Sequence, residues 1–299
     1  MCNEESYLKE GSCFSRSKLY NIEPIGLNTA YTESLTSYIT RISKAHSVYV
    51  GTLIKLELAP ILDKYYILNS SFNGGNSFYS YTHILNGNGK NADDFANALS
   101  EMVCRKDILF TTMLSYRNVI PYQGLSKNTA SWCPFCLEEW RIANKPIYMP
   151  LAWTLKVSNI CNIHNTRLVS RCPICNSKIP FLHRKICNGY CPRCRAWLGR
   201  GYDQNVSQLI KTDDWEKWVN CNIGELISMA PVISILPSRE ILEENLKHII
   251  NTSNNITRLS KLTEIPKSTV WYWANGKTIP RLDKCYCSAI DKIDVLSRW

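Results

Sequence analysis

Apolar positions recur every three or four residues early in the chain. Leu35, Tyr38, Ile39, Ile42 and His46 fall on one face of a helix, and Thr32 or Ser34 just before them offers a side-chain oxygen as N-cap. The region from Tyr31 to about Pro121 therefore reads as helical, with that face turned to a core. Between Ser71 and Lys90 the pattern breaks, because Phe72-Asn73-Gly74-Gly75-Asn76 and Asn86-Gly87-Asn88-Gly89 predict turns or a flexible loop. The glycines lack the GxxxxGK[ST] spacing of a phosphate-binding loop. Helical periodicity resumes from Asp93 to Leu114 through Phe95, Leu99, Met102 and Val103. Trp215 and Trp218, three apart, read as core anchors. The longest apolar stretches, such as Ala230 to Leu236, are far shorter than the roughly 18 residues that cross a bilayer. No membrane association is expected.

A second helical pattern closes the chain. Ile256, Leu259 and Leu262 form the apolar stripe of one helix, Ile265 packs the turn, and Pro266 stops that helix. Lys267 or Ser268 can cap the next helix, which Asn275-Gly276 ends in the left-handed conformation. Val270, Trp273 and Ala274 share its inner face. Lys267, Ser268, Thr269, Trp271 and Tyr272 face outward at its N-terminal end, where recognition helices meet base edges, and Lys277 and Arg281 are placed to reach phosphates. The stretch Leu259 to Pro280 resembles the helix-turn-helix of phage-repressor-like regulators. Six basic residues against two acidic ones over 256–284 suit DNA. The plainer alternatives are a hairpin whose aromatics are all core, or a helix-turn-helix used for dimerisation.

A chain of 299 residues is long enough for about two domains, each with a core of its own. Composition divides it in three: a helical region over 1–130, a cysteine-rich module over 131–200 and a helical region with the helix-turn-helix over 201–299. The expected fold class is mainly α, with a zinc-ribbon-like double finger at the centre. Glu4, Glu5 and Glu10 lead the chain with no apolar stretch behind them, so a secretory signal is not expected and the compartment reads as cytoplasmic. In a reducing compartment clustered cysteines point to metal, and eight of the fourteen lie between Cys133 and Cys194. Charge is concentrated there too: residues 131–200 carry 11 Lys/Arg against 2 Asp/Glu, out of 35 against 25 in the whole chain. Two zinc ions held by seven thiolates would bring that segment from +9 to about +6, still basic enough to favour a polyanion or an acidic partner.

Four chelating pairs follow one another: Cys133-Pro-Phe-Cys136, Cys161-Asn-Ile-His164, Cys172-Pro-Ile-Cys175 and Cys191-Pro-Arg-Cys194. Two ligands separated by two residues can sit on one tight turn and address one ion, so four pairs close two tetrahedral sites. Proline in three of them lowers the entropy lost when the turn orders. Disulfides would require export, and a redox Cys-x-x-Cys would explain one pair but not four. All eight positions are protein ligands, which marks both sites as structural rather than catalytic. Spacing leaves two assignments open: sequential, Cys133/Cys136/Cys161/His164 with Cys172/Cys175/Cys191/Cys194, or interleaved, joining the first pair with the third. Cys187, and more weakly His183, could replace a ligand of the second site, although neither has a partner two residues away.

The run Ser131 to Glu139, then Pro150-Leu-Ala-Trp-Thr154, Ile160 to His164 and Leu168 to Cys175, resembles the signature of the TniQ/TnsD family of transposon target-site selection proteins. Glu33 to His46 is similar to that family's opening helix. The resemblance covers about the first 200 residues, and the chain continues for another hundred beyond it. It implies sequential pairing of the eight ligands. It also implies a non-enzymatic adaptor that recognises an insertion site, either on DNA or through an RNA-guided CRISPR effector, and recruits an AAA+ ATPase of the transposition machinery. The alternative is a zinc-containing helix-turn-helix transcriptional regulator, which explains the C-terminus but not the rest. A zinc hydrolase or deaminase would need an open coordination position and an H-x-E element beside a cysteine pair; the sequence has neither.

Overall fold

The computed structural model describes residues 16–62, 77–199, 213–252, 255–263 and 265–282. Regular structure among them is helical, and backbone pairings outside helices are isolated bridges rather than strands. Helix α1 (Leu35–Ala45) begins at Ser34, whose Oγ accepts from the Ser37 amide at 3.4 Å. Its expected face is fully buried, with Leu35, Tyr38, Ile39 and Ile42 at 0% exposure. His46 departs from that face. It is the C-cap residue, stacks on Tyr20 at 4.1 Å and accepts from the Tyr20 amide through Nε2 at 2.9 Å.

After α1, the chain forms α2 (Val50–Leu53), a π-helical turn (Ile54–Leu58) and α3 (Ala59–Leu62) in unbroken succession. Helix α4 (Ser77–Ser80) and a 3-10 turn (Thr82–Asn86) lead to α5 (Lys90–Val103), whose Phe95, Leu99, Met102 and Val103 complete this first core. The stretch expected to be loop is therefore partly core. Asn86 is buried and paired with Thr36, accepting from its amide at 3.0 Å and donating to its hydroxyl at 3.0 Å. Asn88, also buried, donates to the Ile120 carbonyl at 2.5 Å. Residues 71–76 lie outside the described residues. Both polar atoms of the Asn86 side chain and Nδ2 of Asn88 bond inside the protein, while Asn88 Oδ1 is buried without a partner among the described residues, an arrangement that composition alone cannot distinguish from solvation. Beyond Val103 the helical path continues only as short 3-10 turns, at Lys106–Thr111 and Leu114–Tyr116.

A second core joins Met113, Tyr116, Leu151 and Leu155 to α7 (Asp214–Met229) through Val219, Ile223 and Ile227. Trp215 and Trp218 pack against it as a stacked pair, 4.9 Å between centroids, although both stay half-buried. The apolar stretch Ala230 to Leu236 is largely surface, with Ile235 79% exposed. A third core occupies the cysteine-rich module. It is built on α6 (Pro134–Ile142) and on Trp132, Trp153 and five of the cysteines. A fourth unites α8 (Arg239–Thr252), α9 (Ile256–Thr263) and α10 (Lys267–Ala274) through Ile249, Leu259, Ile265, Val270 and Trp273. The side chain of Leu262 lies outside the described residues.

Candidate metal centres

The four chelating pairs converge sequentially. Cys133, Cys136, Cys161 and His164 form one group and Cys172, Cys175, Cys191 and Cys194 another, with the ligand atoms of each within 4.8 Å of one another. Within the first, Cys136 and Cys161 Sγ are 3.5 Å apart, and His164 Nδ1 lies 3.3 to 3.6 Å from the three sulfurs. In the second, Cys172 and Cys194 are separated by 3.6 Å and Cys175 and Cys191 by 3.7 Å. A tetrahedral ion with bonds of about 2.3 Å to sulfur and 2.0 to 2.1 Å to nitrogen sets edges of about 3.8 Å and 3.5 Å. Disulfide sulfurs would stand about 2.05 Å apart. Both groups therefore have the donor set and the spacing to hold a metal ion. Neither Cys187 nor His183 joins a group among the described residues. Cys187 bridges to Tyr190 in the backbone, and His183, tilted against Tyr79, has its pKa lowered by burial and by Arg184.

Three pairs share one local design. The amides of Cys161, Cys172 and Cys191 each donate to the carbonyl five residues on, Thr166, Ser177 and Ala196, at 2.8 to 3.0 Å. Their carbonyls accept from Asn165, Asn176 and Arg195, which all take the left-handed conformation at φ 50°, 55° and 62°. Each turn is closed by a bridge between flanking residues: Ile160 with Arg167, Arg171 with Lys178, and Tyr190 with Trp197. The first pair departs from the expected tight turn. Cys133 is the N-cap of α6, Pro134 occupies its first turn, and Cys136 sits inside that helix. Proline is favoured there because its missing amide is one the helix leaves unpaired anyway.

Donor crowding dominates the electrostatics. Hydrogen bonds from Cys136 and Cys161 hold the Cys133 thiol far below the usual range, and contact with Cys133 pushes the Cys136 thiol far above it. His164 is raised to about 11, first by Cys133 and then by Cys161. Such mutual opposition is what a bound dication relieves, since each ligand then becomes a neutral imidazole or a thiolate. His164 also turns Nε2 to Glu139 Oε1 at 2.8 Å. A carboxylate there fixes the tautomer that presents Nδ1 to a metal. Sequence reasoning missed Glu139, and it also missed Ser177, whose Oγ lies 3.0 Å from Cys175 Sγ. Glu138, the other acidic residue of the module, accepts from Trp197 Nε1 at 2.7 Å and pairs with Arg141.

On α10, Val270, Trp273 and Ala274 are buried, while Trp271 and Tyr272 are each 46% exposed. Lys267, Ser268 and Lys277 are exposed and Thr269 is half-buried. The expected cap is corrected. Pro266 is the N-cap with no side-chain hydrogen bond, and Lys267 and Ser268 are the first two helical residues. Its fixed φ of −54° with an extended ψ of 138° sets the helix entry without a polar cap. Gly276 takes φ +63°, and a Cβ there would collide with the Glu243 carboxylate. Arg281 is exposed at its residue level, with its guanidinium along Gly124.

No helix among the described residues is long and apolar enough to cross a membrane. The TniQ family model matches residues 24–168 of the chain. The matched span includes α1 and the first metal group and stops before the second. A comparison with curated proteins finds no match.

Proposed function

We propose that this chain is a non-catalytic adaptor that selects the target site in DNA transposition. The TniQ match carries this reading, because it spans the opening helix and the first four-ligand group together. In this reading each group holds zinc, as thiolate-rich tetrahedral donor sets do. Cys133, Cys136, Cys161 and His164 hold one ion and Cys172, Cys175, Cys191 and Cys194 the other. With all positions filled by side chains, the ions fix the module's shape and leave no site for an activated water.

The C-terminal helices are the candidate DNA reader. Lys267, Ser268, Thr269, Trp271 and Tyr272 would face base edges, and Lys277 and Arg281 phosphates. The helical and metal-bearing regions would dock an AAA+ ATPase, and where target choice is RNA-guided, a CRISPR effector. Footprinting of the purified chain across the transposon's attachment sites, with co-purification of candidate ATPase and effector, tests the reading. A specific footprint indicates direct reading, and capture of the effector without a footprint indicates guided docking. Failure of both would sink the proposal and leave the zinc-containing transcriptional regulator as the better account.

A further inference from the structure

We propose that the cleft between α1, α2 and the metal-bearing module binds a single strand of nucleic acid, gripping its phosphates and stacking an unpaired base. This goes beyond the reading above and does not depend on it, since it concerns a surface remote in sequence from the C-terminal helices.

The cleft has a volume of about 930 Å³. Five cations line it, Arg41 and Lys44 from the helical wall and Arg141, Lys185 and Arg195 from the module, and no Asp or Glu does among the described residues. Arg41 is engaged by Glu33 and Arg141 by Glu138. Lys44, Lys185 and Arg195 are exposed and make no ion pair among the described residues. Three uncompensated cations in a concave wall focus a positive potential suited to a polyanion.

Aromatic faces interleave with the charges. Tyr49 is 57% exposed with Lys185 Nζ 5.5 Å from its ring centre, and Tyr190 is 40% exposed beside Trp197 at 5.0 Å. Exposed rings between cations are the elements of single-strand sites, where bases stack without sequence preference and basic side chains follow the backbone. An acidic polypeptide would use the charges but has no use for the rings. The walls are mutually fixed: the Gly51 amide donates to the Arg184 carbonyl at 3.0 Å, and Asn188 Nδ2 donates to Ser37 Oγ at 3.0 Å. The cleft is preformed rather than induced.

The three metal turns supply an internal comparison. Two of them place Asn at the left-handed position, the residue type that tolerates it best after glycine, whereas the third places Arg195 there. Nothing in the turn asks for arginine, and the side chain it supplies lines the cleft. An unfavourable backbone choice beside a cleft fits a binding role.

The test is fluorescence anisotropy of the full, metal-loaded chain with labelled oligothymidylate and oligouridylate of about 12 nucleotides, a length within single-strand site sizes. A matching duplex and polyglutamate serve as competitors. Arg195→Asn combined with Lys185→Gln should weaken strand binding about tenfold or more and flatten the salt dependence by about 0.7 in log–log slope per lost phosphate contact. Metal content and melting should be preserved, because Asn is what the sister turns carry. Lys44→Gln, on the opposite wall and away from the ligands, should weaken binding on its own and keeps the test sound if the double variant misfolds. The ratio of the two oligonucleotide affinities shows whether the strand is DNA or RNA. Unchanged affinity in these variants would overturn the proposal, as would displacement by polyglutamate as effective as by oligonucleotide, or a matching loss of duplex binding.

Discussion

At the residue scale the chemistry divides between ligands that announce themselves and partners that do not. Cys133 and its seven companions are legible because a two-residue spacing is itself a geometric constraint. Glu139 is not, because its partner His164 lies 25 residues away and meets it only in space. Glu139→Gln should lower metal affinity at the first group by about 10- to 100-fold, the usual cost of losing an outer-shell carboxylate, as read by chelator competition. Acid should release metal from both groups, since thiolates and imidazole must be deprotonated to bind; zinc release against falling pH, with proton uptake, checks this. On α10, Tyr272→Ala should cost about 1–3 kcal/mol at particular base positions, and Lys277→Ala should weaken all sequences and reduce the salt slope by about 1. Wild-type binding by both variants would remove this helix from a DNA interface.

At the scale of elements, similar spacings fold in two ways. Three pairs form turns closed by a left-handed residue, but Cys133-Pro-Phe-Cys136 continues into α6, because the following Leu137 and Trp140 extend an apolar face into the third core. A two-residue ligand spacing suits a tight turn and a first helical turn alike, and the residues after it select between them. Cys133→Ser and Cys191→Ser should each leave one metal ion per chain and loosen the module, because both groups share that core; retention of two ions by elemental analysis would contradict the ligand set. In α1 the apolar stripe was readable, but Glu33, fully buried just before the helix, was not. Arg41 holds it through Nη2 at 2.7 Å and Nε at 3.1 Å. Arg41→Met should destabilise the fold by about 3–5 kcal/mol, as stranded buried charges do, and denaturant unfolding would measure it.

At the scale of the whole molecule, Lys127 ties distant segments together. Its buried Nζ donates to Ser131 Oγ at 2.7 Å and to the carbonyls of Trp153 at 3.2 Å and Ser158 at 2.5 Å. Burial pushes it down to about 7 from 10.5. Between those values the unfolded chain holds a proton that the folded chain has released, so stability should rise with pH across that window and the penalty should be complete below it. Melting of the wild type against Lys127→Met should show this slope only in the wild type. Legible in the chain before folding are the eight Cys/His donor positions, the buried faces of α1, α5 and α10, and the concentration of positive charge between residues 131 and 200. These depend on spacing, periodicity and composition, which act over a few residues at a time. Only in the packed chain do the pairs join in sequence, do Asn86 and Asn88 become interior rather than loop, and do Lys44 and Arg195, 151 positions apart, line one cleft. Each of those outcomes depends on which distant surfaces can be buried together with most of their polar groups paired, a condition on the packed chain that no local pattern encodes.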